Sequence, residues 1–271
     1  MNPYQVFLIA VFIALVLLVV HSVVYRGIKE TIIFFVFVLL FGLIREMIYA
    51  AFFKNYSFGE TPLQILGAPV VPIFGWIFTY YLGYSLCEKL IDQEENSEYP
   101  RLMVMSAIFS SYICFSIETV ALYLGWWEVF FESSNLAASD LLAGWFYSAL
   151  LFFSIYIILI GKATKLENLV LPFLIILLIA IVEIREQLMI VPNEIIIIII
   201  YIIVLAIICI LYPYLAIIFL TLALLFFINP TRVLFDNNAR IMVFFIVEFI
   251  YLLLLLKKPE IFETEIFKFK N

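Results

Sequence analysis

Five carboxylates stand inside or at the margins of long apolar runs: Glu46, Glu118, Asp140, Glu183 and Glu248. A charge at the centre of a bilayer costs roughly 2.5–3.5 kcal/mol on insertion scales, so such a group normally faces a partner or a cavity. A carboxylic acid kept neutral in a dry site is a proton donor. Aromatic residues crowd around two of these acids. The stretch 45–76 carries Glu46, Tyr49, Tyr56, Gly67-Ala68-Pro69, Pro72 and Trp76. The stretch 116–146 carries Glu118, Gly125-Trp126-Trp127, Asp140 and Gly144-Trp145-Phe146. Together they hold all four tryptophans of the chain.

Acid beside aromatic rings suits one reaction class. A carboxyl proton can be added to an isolated alkene of a lipid-soluble polyisoprenoid. The tertiary cation that forms can be held by Trp, Tyr and Phe faces, each contact being worth about 0.5–2 kcal/mol. Water then captures it to give a tertiary alcohol, or a neighbouring double bond captures it to give a ring. Neither outcome requires a metal or a nucleotide, and the expectation is that no cofactor is used. The catalytic candidates are Glu118, Glu46 and Asp140. Trp76, Trp127, Trp145, Tyr49 and Tyr56 are the candidate substrate-binding residues. Glu118 is the deepest acid of the N-terminal half. At helical spacing it shares a face with Ser111 and Cys114. Glu46 shares a face with Gly42 and Tyr49, and Arg45 is expected to snorkel toward the interface. Glu183, with Arg185 and Glu186, reads as a local ion pair at a membrane surface. Glu248 stands in mid-span with no partner that the sequence identifies.

These residues must be positioned by membrane helices. Hydrophobic residues make up 66% of the 271, only 13% are charged, and the mean hydropathy is +1.18. A span needs about 20 mostly apolar residues. Nine stretches qualify: 5–24, 31–53, 63–87, 102–124, 139–160, 169–190, 194–211, 213–229 and 240–256. Pro213 separates the seventh from the eighth by a turn or by a kink alone, so eight spans remain an alternative. The expectation is an all-α, polytopic transmembrane bundle of about eight or nine spans, folded as a single membrane domain over 1–271. Its C-terminal part, 169–256, is nearly low-complexity aliphatic sequence and reads as scaffold. The apolar start lacks a basic flank and a small-x-small cleavage site, so a retained span is expected there.

Lys and Arg set the orientation. With an external N-terminus, ten of them fall on the internal side and five on the external side. This topology places the chain in the cell membrane with the 125–138 connection outside. The net charge of −6 arises mainly in the 88–98 loop and the tail, and no basic surface is available for nucleic acid. Partners are instead membrane lipids and a lipid-soluble substrate. Cys87, Cys114 and Cys209 form no CxxC pair and read as small buried hydrophobes. With one histidine, His21, the chain lacks the ligands of di-iron, haem and HExxH sites. Its three Asp are too far apart to hold magnesium on a diphosphate.

The two stretches resemble the integral-membrane carotenoid biosynthesis family that includes bisanhydrobacterioruberin hydratase and γ-carotene hydratase. The similarity lies in Glu46, Tyr56-Ser57-Phe58-Gly59, and Gly67-Ala68-Pro69…Pro72…Trp76. It continues in Glu118, Gly125-Trp126-Trp127, and Gly144-Trp145-Phe146. It covers about residues 40–150. The chain departs from the family where Phe131-Glu132-Ser133-Ser134-Asn135 replaces a Pro-containing run, and where Asp140 stands nearest an expected Asn. The resemblance implies a hydratase acting on the ψ-end of an acyclic carotenoid. The residues themselves leave open an end-group cyclase, or a small transporter or assembly protein that uses its Glu residues as proton relays.

Overall fold

The computed structural model describes residues 3–48, 56–58, 64–65, 68–91, 98–123, 127–129, 138–160, 169–179 and 194–211, with short helical pieces at 239, 242–243, 246–250 and 253. These residues are almost all helical, as expected from uninterrupted apolar runs that can satisfy their backbone only internally. Three described helices are long and apolar enough to cross a membrane: Leu8–Glu46, Val70–Leu90 and Arg101–Glu118.

The first helix, α1 (Pro3–Glu46), is two arms. Gly27 breaks it with φ 81° and ψ 166°, a conformation open essentially to glycine. The Ser22 and Thr31 hydroxyls are 2.8 Å apart. In an unbroken helix residues nine positions apart would be separated by ~13.5 Å, so the chain folds back at Gly27. Thr31 Oγ1 donates to the Gly27 carbonyl at 2.8 Å. Its one proton is thereby used, and Ser22 is the donor of the pair. Rings from both arms meet Tyr81: His21 at 5.8 Å, Phe34 at 5.7 Å and Phe35 at 5.4 Å between centroids. The two arms contain the expected stretch 5–24 and residues 31–48 of the expected stretch 31–53, whose remaining residues lie outside the described ones.

A short ribbon precedes α2 (Val70–Leu90): β2 (Gln64–Ile65) pairs antiparallel with β3 (Ala68–Pro69). The expected helix start at 63 is thus displaced to Val70. Pro69 ends the ribbon and Pro72 lies in the first helical turn, where its missing N–H leaves no bond unmade. Helix α3 is Glu98–Tyr123 and α4 is Ala138–Leu159. Leu169–Ile179 forms α5 and Glu194–Leu211 forms α6. A second ribbon joins β1 (Tyr56–Phe58) to β4 (Trp127–Val129), pairing Tyr56 with Val129 and Phe58 with Trp127. These strands are absent from the all-α expectation. Residues 180–193 and 212–238, with Glu183, Arg185, Glu186 and the expected eighth span, lie outside the described residues.

Two compact units can be distinguished in the chain. One comprises Met1–Gly83 and Ser110–Asn135, the other Tyr84–Phe109 and Leu136–Asn271. In the first, Phe34, Val38, Ile73, Trp76, Ile77, Tyr80 and Tyr81 are buried. The outer faces of α1 expose Phe12, Leu17, Val24, Ile28 and Ile32, a surface suited to lipid. In the second, Tyr84 stacks on Phe153 at 5.9 Å and Phe152 on Tyr156 at 5.9 Å. Ser154 there donates to the Leu150 carbonyl at 2.6 Å, and its oxygen lies 3.1 Å from the Met103 sulfur. Glu248 is fully buried in this unit.

Candidate functional site

The first unit brings together residues from α1, α2 and α3. Glu46 ends the second arm of α1 and is 2% exposed. The Trp76 indole N–H donates to Glu46 Oε1 at 2.7 Å. This contact depends on Gly42, one turn before Glu46. A Cβ at Gly42 would lie 3.1 Å from Trp76 Cδ1 and 3.3 Å from Cγ, so the bare backbone is what admits the indole. Arg45 does not snorkel away as expected. Its guanidinium carbon lies 4.4 Å from the Trp76 ring centroid, and Nη1 is 4.0 Å from Glu46 Oε1. Planar guanidinium on an indole face is a favourable cation–π arrangement, and it brings the positive charge to the carboxylate as well. The backbone continues past Glu46 in a π-type turn at 47–48. Such turns recur at functional sites because they re-aim side chains.

Around this pair the rings are packed edge to face or tilted. Trp76 meets Tyr80 at 5.2 Å, and Phe41 meets Trp76 at 6.4 Å and Tyr80 at 6.1 Å. The buried Tyr80 hydroxyl lies in the field of Cys114, Arg45 and Glu46. Tyr80 was not singled out in the sequence. The available signal was its position one turn beyond Trp76.

Helix α3 presents its expected face. Ser110, Ser111, Cys114 and Glu118 are all buried, while Ser116 on the opposite side is exposed. Ser110 Oγ donates to the Thr79 carbonyl at 3.3 Å, which fixes α3 against α2. The Cys114 thiol is within hydrogen-bonding reach of Thr79 and feels the charges of Glu118 and Arg45. Glu118, 7% exposed, follows Cys114 by one turn. In the antiparallel α1–α2 register Gly42 faces Trp76, and in the α2–α3 register Thr79 faces Ser110. Advancing about one turn (~6 Å) from Gly42 and about two turns (~12 Å) from Ser110 carries both Glu46 and Glu118 to the level of the first turns of α2.

The other expected residues distribute as follows. Trp127 and Tyr56 sit on the paired strands β4 and β1 of this same unit, and their side chains lie outside the described residues. Tyr49 also lies outside them. Asp140 opens α4 in the other unit, and its side chain is not described. Trp145, on the same helix, is half-buried. Trp76 was expected to bind substrate. Its ring is fully buried, with one face on Arg45, its N–H on Glu46 and its edge on Gly42. Those contacts suit it to holding the carboxylate.

Two features lay beyond the sequence reading. One is the polar cluster at the opposite end of the α1 hairpin. His21 Nδ1 is 2.7 Å from the Tyr81 hydroxyl, and Arg26 lies 5.3 Å above the Tyr81 ring. The other is an apolar crevice of about 270 Å³ lined by Leu39, Leu43, Ile65, Val70, Ile73 and Phe74. Cys87 and Cys114 are buried and unoxidised, as read from their apolar settings. No protein-family model, no curated protein and no solved structure matches this chain.

Proposed function

We propose that the chain is a multi-pass enzyme of the cell membrane, of eight or nine spans, that hydrates the terminal double bond of an acyclic carotenoid-type polyisoprenoid without a cofactor. The observation that carries this reading is the buried acid–aromatic cluster: Glu46 bonded to Trp76, with Glu118 on the facing stripe of α3. The two carboxyls have different surroundings, which is how one site supplies both an acid and a base. Glu46 Oε1 accepts an N–H and has a guanidinium beside it, so Glu46 is the acceptor. Glu118 is the donor.

In the proposed reaction the Glu118 proton forms a C–H bond at the less substituted alkene carbon, using the π electron pair. The tertiary carbon becomes cationic. A water oxygen forms the C–O bond, and its surplus proton passes to Glu46. Return of one proton from Glu46 to Glu118 restores the site, and the sum is alkene plus water giving alcohol. The aromatic packing of Phe41, Trp76 and Tyr80 supports this chemistry by keeping bulk water out.

The test is expression in a lycopene-producing host with mass analysis of the pigments. Hydration adds the mass of water, whereas cyclisation adds none. Glu118→Gln keeps the shape and removes the transferable proton, and should abolish the product while the protein still accumulates in the membrane. Unchanged pigments in cells that contain intact wild-type protein would refute the hydratase.

A further inference from the structure

The tip of the α1 hairpin, far from the two carboxylates in sequence, gathers charge and apolar surface in one turn. Val24, Tyr25 and Ile28 are 74%, 66% and 66% exposed, the three most exposed large hydrophobic side chains among the described residues. Arg26 stands between them. It is half-buried, because its guanidinium carbon is held 5.3 Å from the Tyr81 ring centroid. Tyr81 is itself fully buried, fixed by the 2.7 Å contact of its hydroxyl with His21 Nδ1 and by the rings of Phe34 and Phe35. The His21 ring in turn lies 4.4 Å from that of Tyr25. The guanidinium is thus seated on a packed aromatic support. Lys29, just past Gly27, is exposed, as is Glu30. Two positive side chains therefore stand against one negative, in a chain whose net charge is −6.

The second arm, from Ile28 to Glu46, is about 28 Å long at ~1.5 Å per residue. That is close to the ~30 Å hydrocarbon thickness of a bilayer, so an arm that reaches one interface with Glu46 brings the Gly27 tip to the headgroup level of the other. We propose that this tip binds one anionic phospholipid. The phosphate lies against Arg26 and Lys29. The acyl chains lie along two exposed rows at helical spacing, Leu17, Val20 and Val24 on the first arm and Ile28, Ile32 and Val36 on the second. A tyrosine such as Tyr25 belongs at this depth. Free phosphate could use only the charges, and the apolar rows select a lipid. A zwitterionic lipid offers the same phosphate with a cation attached, which the two basic side chains disfavour.

A basic side chain near an anionic membrane surface is worth about five-fold in affinity. Two of them give about 25-fold, and Glu30 takes back part, so a preference of about ten-fold for an anionic over a zwitterionic lipid is expected. The experiment is native mass spectrometry of the full-length protein in a neutral maltoside detergent. It is titrated with phosphatidylglycerol, with phosphatidylcholine and with inorganic phosphate. One phosphatidylglycerol should bind about ten-fold more tightly than phosphatidylcholine, and inorganic phosphate should not displace it. Arg26→Gln should weaken it about five-fold. Lys29 is exposed, so Lys29→Gln leaves the packing intact and should have a similar effect. Ile28→Ser should weaken the lipid through the apolar row. Arg45→Gln removes the same charge at the far end of the arm and should bind the lipid like wild type. Equal binding of the two lipids would overturn the site. So would equal losses in Arg26→Gln and Arg45→Gln, which would reduce the effect to net charge. Displacement by inorganic phosphate, with Ile28→Ser unchanged, would leave a simple anion site and overturn the lipid.

Discussion

The hydrogen bond from Trp76 to Glu46 can be weighed by a double-mutant cycle. Trp76→Phe removes the N–H donor and keeps an aromatic ring beneath Arg45. Glu46→Leu removes the acceptor and keeps an apolar side chain of similar reach. Each single change removes one side of a bond between two buried groups, at 0% exposure for Trp76 and 2% for Glu46. Stranding a buried donor or acceptor costs about 1–3 kcal/mol, whereas removing both partners together is close to neutral. The coupling should therefore approach the cost of one stranded group. Side-chain hydrogen bonds measured inside membranes average about 0.6 kcal/mol and reach about 1.7. The bond here is short, at 2.7 Å, and its acceptor has Arg45 alongside. Its coupling should fall near the top of that range, at about 1.5 kcal/mol. The assay is steric trapping of the four proteins in bicelles, which reads unfolding free energy without relying on tryptophan fluorescence. A coupling below about 0.5 kcal/mol would mean that neither group depends on the other, and the argument for a built carboxylate site would fail.

Other perturbations follow from the same geometry. Gly42→Ala should lower stability slightly, because Trp76 must yield by a few tenths of an ångström, while Gly42→Leu should expel the indole and abolish product; equal activity of the two variants would show that the indole is not seated by this approach. Gly27→Ala places a Cβ at φ 81° and should destabilise the hairpin by about 1–3 kcal/mol, measured by the same trapping assay. Ser22→Ala removes the donor to Thr31 across the fold-back and should cost about 0.5–1.5 kcal/mol; no change would mean that Gly27 alone sets the bend. Arg45→Gln keeps a polar side chain but removes the charge beside Glu46 and over the Trp76 ring, and should lower turnover while the protein still accumulates in the membrane; unchanged turnover would show that the charge plays no part at the carboxylate.

Much of the helical plan was legible because apolar runs of about twenty residues have one structural solution in lipid. The buried stripe Ser111–Cys114–Glu118 followed directly from helical periodicity. So did the shared face of Gly42 and Glu46. Arg45 was misread because its direction on the helix wheel takes no account of a ring arriving from another helix. Once Trp76 fills the space above Gly42, the guanidinium gains more from the indole face and the carboxylate than from reaching the headgroups. The ribbons were not legible because two- and three-residue strands carry no periodicity. The crevice was invisible for a similar reason. Leu39 and Ile65 look like every other aliphatic residue in a chain that is 66% hydrophobic, and only the ribbon beside α2 leaves them facing a gap.

The pairing of β1 with β4 also constrains how the protein is made. Its two strands are separated in the chain by α2 and α3, about 70 residues of synthesis. At 5–20 residues per second the ribosome takes roughly 4–14 s to cover that distance. Throughout this interval β1 has left the ribosome without its partner strand, at the moment when the two intervening helices are being inserted. An unpaired strand edge is a template for wrong pairing. The ribbon can therefore close only after both helices have been made, which makes it a late connection of this unit.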